Sequence, residues 1–513
     1  MMHAMTAKHA FHILRFKNQI QLAIQAIALI SIFVAPAAAL ALTADQHLKA
    51  ATKPNFKPNH TLIPLSRWGW EMSYDTRIEL AGHWGYALEL GGETYPSTVA
   101  ALDNSNTITG KLVALAASDP KRYPLFVLAH RPLGNQNGWD KLPETTWCHD
   151  ADGRRFTNAE PWKLWSPEAP DSIFQAAATE SANIIREIRK RAPIAVILNG
   201  GEDGLNYFGH SGSYWEKDPK ILAAKGKRDW FDYFSDRKAH QEGIITDAIR
   251  AACPDRQVYL WYHFDGLPTW TKWQYAFDYK HMRRVSDMPD QSLYYLEFNT
   301  GWTGDRDLLT YALDSTAQAL TFGDRLSYHW VCGGWIAGKL SDRERYMGFL
   351  KSLYNSGMVG AVAGYFSYPK PGFQEDLGPE VPSWLSQMMD LGQAQALFSH
   401  VEDFLREGDL LPGPDKHRIA TELPAYEFPT GFPETRVLVR KHRQRSEWLI
   451  TAWAADGVER KVTVEVPDLG KVEVLARPCG TVYRATAEKK AEGKVQSHLV
   501  LLDKDGMLPS AGL

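Results

Sequence analysis

The sequence predicts an α/β fold, a (β/α)8 TIM barrel, followed by a C-terminal antiparallel β-sandwich. Three observations carry this. From about residue 65, short β-branched and aromatic runs alternate with longer amphipathic ones. Several of the short runs are apolar throughout, as strands buried on both faces are; Ile194-Ala-Val-Ile-Leu198 and Val258-Tyr-Leu-Trp-Tyr262 are examples. After Gly408 the texture changes to alternating runs separated by polar turns.

The barrel strands are read at Arg67–Met72, Tyr86–Gly91, Tyr123–His130, Ile194–Glu202, Gln257–Asp265, Ser292–Asn299, Leu326–Gly333 and Val359–Phe366. Between them, helices are predicted over Asp171–Arg191, Asp229–Ala252, Asp307–Thr321 and Ser341–Ser356, with Pro382–Arg406 as the last. Asp171 and Ser341 are the expected caps, and Ser341-Asp-Arg-Glu344 has the capping-box form. Pro193 and Pro254 stop two helices just before the next strand. The stretch Pro132–Pro170 is an insertion holding Trp139, Trp147, Trp162 and Trp165. An open doubly wound sheet is the alternative, but Gly91-Gly92 is no dinucleotide-binding loop. The sandwich strands are read at Arg436–Arg440, Glu447–Trp453, Lys461–Val466, Val472–Leu475 and His498–Leu502, with Leu411-Pro-Gly-Pro414 as the linker before them.

The N-terminus carries Lys8, Arg15 and Lys17 and no acidic residue, then the apolar run Ile20–Ala35, then Pro36-Ala-Ala-Ala-Leu-Ala41. This predicts a secretory signal peptide over residues 1–41, cleaved after Ala39 or Ala41, and a secreted or periplasmic protein with no stable membrane insertion after cleavage. The run is short for a membrane anchor and holds Gln21 and Gln25. Residues 42–62 read as a linker, 63–410 as the barrel and 411–513 as the sandwich domain.

Among 513 residues, 44% are hydrophobic and 23% charged, which is globular composition and excludes general disorder. With 57 Lys+Arg against 60 Asp+Glu, the net charge of −3 gives no support to nucleic-acid binding. Cys148, Cys253, Cys332 and Cys479 have no metal-binding spacing and read as free thiols, with one disulfide left open. No metal or cofactor is expected. The 18 Trp are an excess that asks for a use.

In a parallel barrel, function sits at the C-terminal strand ends. The strands end in turn on Trp68, Trp70 and Glu71; on Glu89; on His130; on Asn199 and Glu202; on His263 and Asp265; on Glu297, Asn299 and Trp302; on His329 and Trp330, with Trp335 after; and on Tyr365. Carboxylates interleaved with Trp suit sugars, whose C–H faces stack on aromatics and whose hydroxyls need polar partners. Paired carboxylates suit glycoside hydrolysis, in which one protonates the leaving oxygen. There is no nucleophile elbow for an esterase; Gly209-His-Ser-Gly-Ser213 is not one.

The signal peptide, the Trp-rich barrel with Asn199 and Glu202 ending the fourth strand, and the sandwich together resemble a secreted retaining glycoside hydrolase of the clan A type. The resemblance spans about residues 65–505. In that clan a Glu directly after an Asn ends the fourth strand as acid/base, and a Glu ends the seventh as nucleophile. Here Asn199-Gly-Gly-Glu202 splits the pair, and the seventh strand, Ser327-Tyr-His-Trp-Val-Cys332, has no Glu, whereas Glu297 ends the sixth. The expected catalytic residues are therefore Glu202 as acid/base and Glu297 as nucleophile. The remaining strand-end residues named above are expected to bind a poly- or oligosaccharide. A non-catalytic carbohydrate-binding protein is one alternative, and a polysaccharide lyase using Tyr262, His263 or His329 is another.

Overall fold

The computed structural model describes residues 42–68, 72–91, 95–129, 142–157, 164–199, 214–261, 279–294, 308–333, 342–364, 383–418, 421–489 and 495–503. The predicted signal peptide lies outside them, as do Trp139 and Trp162 of the insertion.

All eight predicted barrel strands are present: β1 (Ser66–Trp68), β2 (Leu88–Leu90), β3 (Leu125–Leu128), β4 (Ile194–Asn199), β5 (Val258–Trp261), β6 (Ser292–Tyr294), β7 (Ser327–Cys332) and β8 (Met358–Gly364). They form two four-stranded parallel sheets, ordered β2-β3-β4-β5 and β1-β8-β7-β6. Two seams close them into a barrel. At one, an isolated parallel bridge joins Leu65 to Tyr86. At the other, Asp287 N donates to Tyr259 O at 2.8 Å and its Oδ2 accepts from Tyr259 N at 2.8 Å. The adjacent Ser286 Oγ accepts from Trp261 N at 3.4 Å.

The helices in chain order are α1 (Ala44–Ala50), α2 (Tyr74–His83), α3 (Tyr95–Leu102), α4 (Ile108–Ser118), α5 (Asp171–Arg189), α6 (Pro219–Lys225), α7 (Trp230–Ala252), α8 (Tyr279–Met282), α9 (Leu308–Thr321), α10 (Arg343–Ser356), α11 (Ser383–Ser399) and α12 (Glu402–Glu407). Helix α5 shows why the pattern was readable: Ile173, Phe174, Ala177, Ala178, Ser181, Ile184, Ile185 and Ile188 recur at three- and four-residue spacing and are all buried. They pack with Leu125, Val127, Ile194, Ile197 and Tyr259, which fixes the outer face of β3–β5. Phe126, Val196, Leu198, Val258 and Leu260 belong to a different core cluster and face the interior.

Several expectations are corrected. The stretch 42–62 is no free linker. Ala44 and Leu48 of α1 join the barrel core, Lys57 N donates to Ser399 Oγ at 2.8 Å, and Thr61 N to Glu402 Oε2 at 2.6 Å. Pro170, not Asp171, is the N-cap of α5. Asp342, not Ser341, caps α10, its carboxylate accepting from Glu344 N and Arg345 N; Ser341 lies outside the described residues. The last predicted helix is two helices, α11 and α12, broken at His400 and Val401.

The second region pairs a five-stranded antiparallel sheet, β15-β14-β11-β10-β9, with the hairpin β12-β13. Its strands are β9 (Gly408–Leu410), β10 (Thr435–His442), β11 (Glu447–Ala454), β12 (Arg460–Val466), β13 (Gly470–Ala476), β14 (Thr481–Lys489) and β15 (Val495–Leu501). The core between them is Val437, Val439, Trp448 and Ile450 against Val462, Val464, Val472 and Val474. Strand β9 pairs with β10, so the boundary falls before Gly408 and not after residue 410.

Helix α10 is the dock between barrel and sandwich. Gly348 lies against Trp453; a Cβ there would fall 2.1 Å from the indole Cδ1. Lys351 Nζ donates to Gly480 O at 3.0 Å and pairs with Asp503 at 2.5 Å, both side chains buried. Asn355 Nδ2 donates to Leu438 O and to Thr451 Oγ1, each at 3.1 Å. From the sandwich side, Arg440 donates from Nε to Asn355 O and from Nη1 to Gly408 O. Its guanidinium thus sits against the C-terminal ends of α10 and α12, where helix dipoles favour a cation. Burial still draws its pKa down to about 10.

Candidate active site

The C-terminal strand ends border the described chain. Residues 69–71, 92–94, 130–141, 200–213, 262–278, 295–307, 334–341 and 365–382 lie outside it. Of the predicted site residues, Glu202, Glu297, Trp70, Glu71, His130, His263, Asp265, Asn299, Trp302, Trp335 and Tyr365 fall in those segments. Trp68 ends β1, where its backbone pairs with Gly364. Glu89, Asn199, His329 and Trp330 can be placed in full.

Glu89 faces the barrel interior. It is in register with Phe126, while its neighbours Leu88 and Leu90 pack outward with α4 and α5. Its Oε2 stands 2.6 Å from Arg67 Nη2, and the two side chains are 13% and 3% exposed. At this distance the guanidinium acts on the carboxylate both as a neighbouring charge and as a hydrogen-bond donor. Arg77 of α2 donates from Nε to Met72 O at 3.1 Å and from Nη1 to Glu89 O at 3.5 Å. Burial pushes the Glu89 carboxyl above the ordinary carboxylate range, and Arg67 and Arg77 oppose that push. Arg67 is the site residue that sequence reasoning missed. A lone Arg in a short strand reads as solvated surface, and only its placement beside an inward Glu on the next strand gives it away.

Asn199 points the other way. It pairs in register with Trp261, on the face of β4–β5 that carries Ile197 and Tyr259. Tyr259 bonds to it and shares its hydroxyl with Thr246 of α7 at 3.1 Å. Asn199 therefore ties the end of β4 to the helical layer, which corrects its expected place among sugar contacts.

His329 and Trp330 are wholly buried. His329 Nδ1 accepts from Gln291 N at 3.3 Å, so the neutral ring carries its proton on Nε2. Burial draws its pKa down to about 3. This buried ring, accepting from the backbone that leads into β6, fastens β6 to β7. The Trp330 indole lies across β8: a Cβ on Gly364 would fall 2.1 Å from its Nε1. Tyr328 crosses the same strand at Gly360 to reach Ser66 Oγ at 2.8 Å. The two glycines make room for aromatic side chains that fill the core. Trp330 is thus core packing where an exposed stacking platform was expected.

A depression of about 450 Å³ lined by Arg186, Arg189, Lys190, Arg191 and Asp255 lies at the opposite, N-terminal end of β4. Its cations face carboxylates: Arg189 faces Asp255, Lys190 faces Glu187, and Arg191 faces Asp103 and Glu187. They also crowd the C-terminus of α5, which accounts for them. Cys148, Cys253 and Cys332 are buried free thiols and Cys479 a half-buried one. Among the described residues no cluster of His, Cys, Asp or Glu has the makings of a metal site.

No protein-family model matches the sequence, and no curated protein matches it. Solved structures do resemble the fold. A cold-adapted β-galactosidase from Rahnella sp. R3 is 10% identical at a TM-score of 0.44, over 68% of this chain and 58% of that one. The exo-carrageenase GH42 from Bacteroides ovatus is 9% identical at 0.45, over 85% and 84%. A GH36 α-galactosidase from Geobacillus stearothermophilus is 12% identical at 0.41, over 89% and 58%. The chain thus spans less than two thirds of the first and third of these proteins. All three are glycoside hydrolases. With TM-scores below 0.5, their likeness leaves the chemistry of this chain to be argued from its own residues.

Proposed function

We propose that the protein is an exported glycoside hydrolase acting on a poly- or oligosaccharide, with Glu202 as general acid/base and Glu297 as nucleophile. One observation supports this most: a parallel barrel whose fourth and sixth strands, as described, come within three residues of these two carboxylates in the sequence. In the sequence each Glu follows its strand by three residues, and parallel barrels hold their chemistry after the C-terminal strand ends. Glu89 adds a third, inward carboxylate at the same end, suited to accepting a hydrogen bond from a sugar hydroxyl. The basic flank, apolar run and Ala-x-Ala ending of residues 1–41 support export.

In this reading Glu202 protonates the glycosidic oxygen while Glu297 attacks the anomeric carbon. The leaving sugar departs, and Glu202 then takes a proton from the water that releases the glycosyl-enzyme ester. A reducing-sugar assay over a glycan panel, with product unsaturation followed alongside, tests the class. New reducing ends without unsaturation support it. Unsaturated products would favour a lyase, and binding without turnover would favour a carbohydrate-binding protein.

A further inference from the structure

We propose that Arg67 is a positioning residue that keeps Glu89 an ionised, fixed acceptor for a substrate hydroxyl at the barrel mouth. The hydroxyl contact rests on the glycosidase reading; the dependence of Glu89 on Arg67 does not.

Glu89 sits between Leu88 and Leu90, and this alternation turns its carboxylate into the barrel. An inward carboxylate near the top of an apolar barrel resists ionisation unless a cation stands beside it. Arg67, 3% exposed on the adjoining strand, stands 2.6 Å away. Arg77 grips the Glu89 carbonyl from α2, and Glu89's neighbour on β3 is the uncharged Phe126. Among the described residues, the charges that act on Glu89 are therefore Arg67, first, and Arg77. The attraction within a buried ion pair mostly offsets its desolvation cost, so stability alone gives little reason for this one. Next to the expected site, Arg67 sets the charge and orientation of a group that can bind sugar.

Two measurements test this. The first is kcat/KM against pH for wild type, Arg67→Met, Arg67→Lys and Glu89→Gln on the best glycan of the panel. Arg67→Met should raise KM about tenfold. It should also move the acid limb up by about one pH unit or more, as expected when an opposite charge leaves a carboxylate. Arg67→Lys should restore the limb and part of KM. Arg67→Met should add nothing further to Glu89→Gln. An unmoved limb and KM in Arg67→Met would overturn the proposal.

The second needs no activity: the Tm gap between wild type and Arg67→Met from pH 4 to 8. Removing Arg67 raises the folded-state pKa of Glu89 further above its unfolded value. The variant therefore loses stability as pH rises through that interval, and the gap should widen with pH and vanish in the Glu89→Gln background. A gap flat with pH overturns the proposal. Wild-type inactivity on the whole panel overturns the glycosidase reading and with it the hydroxyl contact, while the Tm gap still decides whether Arg67 sets the charge of Glu89.

Discussion

The barrel–sandwich interface and the C-terminal strand ends each bury a cation beside a carboxylate, and they finish the task differently. At the interface, Lys351 meets Asp503 and the Gly480 carbonyl, while Asp503 Oδ1 accepts from Val482 N at 2.7 Å. Both ions have further hydrogen bonds, and the pair is closed. At the strand ends, Arg67 meets Glu89 at 2.6 Å, and among the described residues Arg77 is the other cation that acts on that carboxylate. The first arrangement is that of a structural lock. The second sets a carboxylate on the inward face of its strand beside one cation, an arrangement that a binding site can use.

The largest effect that separates the two regions is on turnover. Glu297→Ala and Glu202→Ala should lower kcat by several orders of magnitude with Tm unchanged, whereas Lys351→Met should leave kcat of the surviving fold intact. Steady-state kinetics beside calorimetry checks this. Next, Lys351→Met should destabilise by about 3–5 kcal/mol, because it leaves a buried carboxylate alone. Pairing it with Asp503→Leu should recover much of that loss, as chemical denaturation would show. Trp330→Ala should cost about 3–5 kcal/mol, the loss of a buried aromatic and the cavity left behind. If Trp330→Ala instead weakens substrate binding with stability unchanged, the indole is a sugar platform after all.

A pH effect is smaller. His329 titrates near 3 when folded and near 6.5 when unfolded, so the unfolded chain binds the extra proton between those values. Wild type should therefore lose up to about 1.4 kcal/mol per pH unit from this group as pH falls from about 6 toward 3. His329→Gln should lack that component in acid melts. Last, the exposed pair Lys461–Glu473 should be dispensable: Lys461→Ala should leave Tm unchanged within error.

Much of the barrel was legible because parallel strands buried on both faces leave apolar runs, and every predicted one is a strand. The caps moved by one residue because Pro170 and Asp342 compete with their neighbours for the N-cap, a contest decided by backbone geometry. Strand β14 was missed although Thr481, Val482, Tyr483 and Thr486 favour strands; it pairs with β11 and β15 across the sheet. At the site, Trp330 looked like a mouth residue because it stands late in its strand. The opposing signal was Gly364 on β8, since a glycine in a core strand leaves space that a large neighbour fills. Asn199 was assigned to the pocket by analogy, while strand alternation set it on the helix side. Arg67 could be read only from its partner, because nothing in a single strand distinguishes a buried arginine from a solvated one.

The most direct test of the central claim is azide rescue of the two carboxylate variants on activated aryl glycosides, with the product anomer read by NMR. The account predicts that azide restores turnover to Glu297→Ala with an inverted glycosyl azide, and to Glu202→Ala with a retained one. Near-wild-type rates in both variants without azide would contradict it, and would move the search for the acid and the nucleophile to Glu71, Glu89 and Asp265.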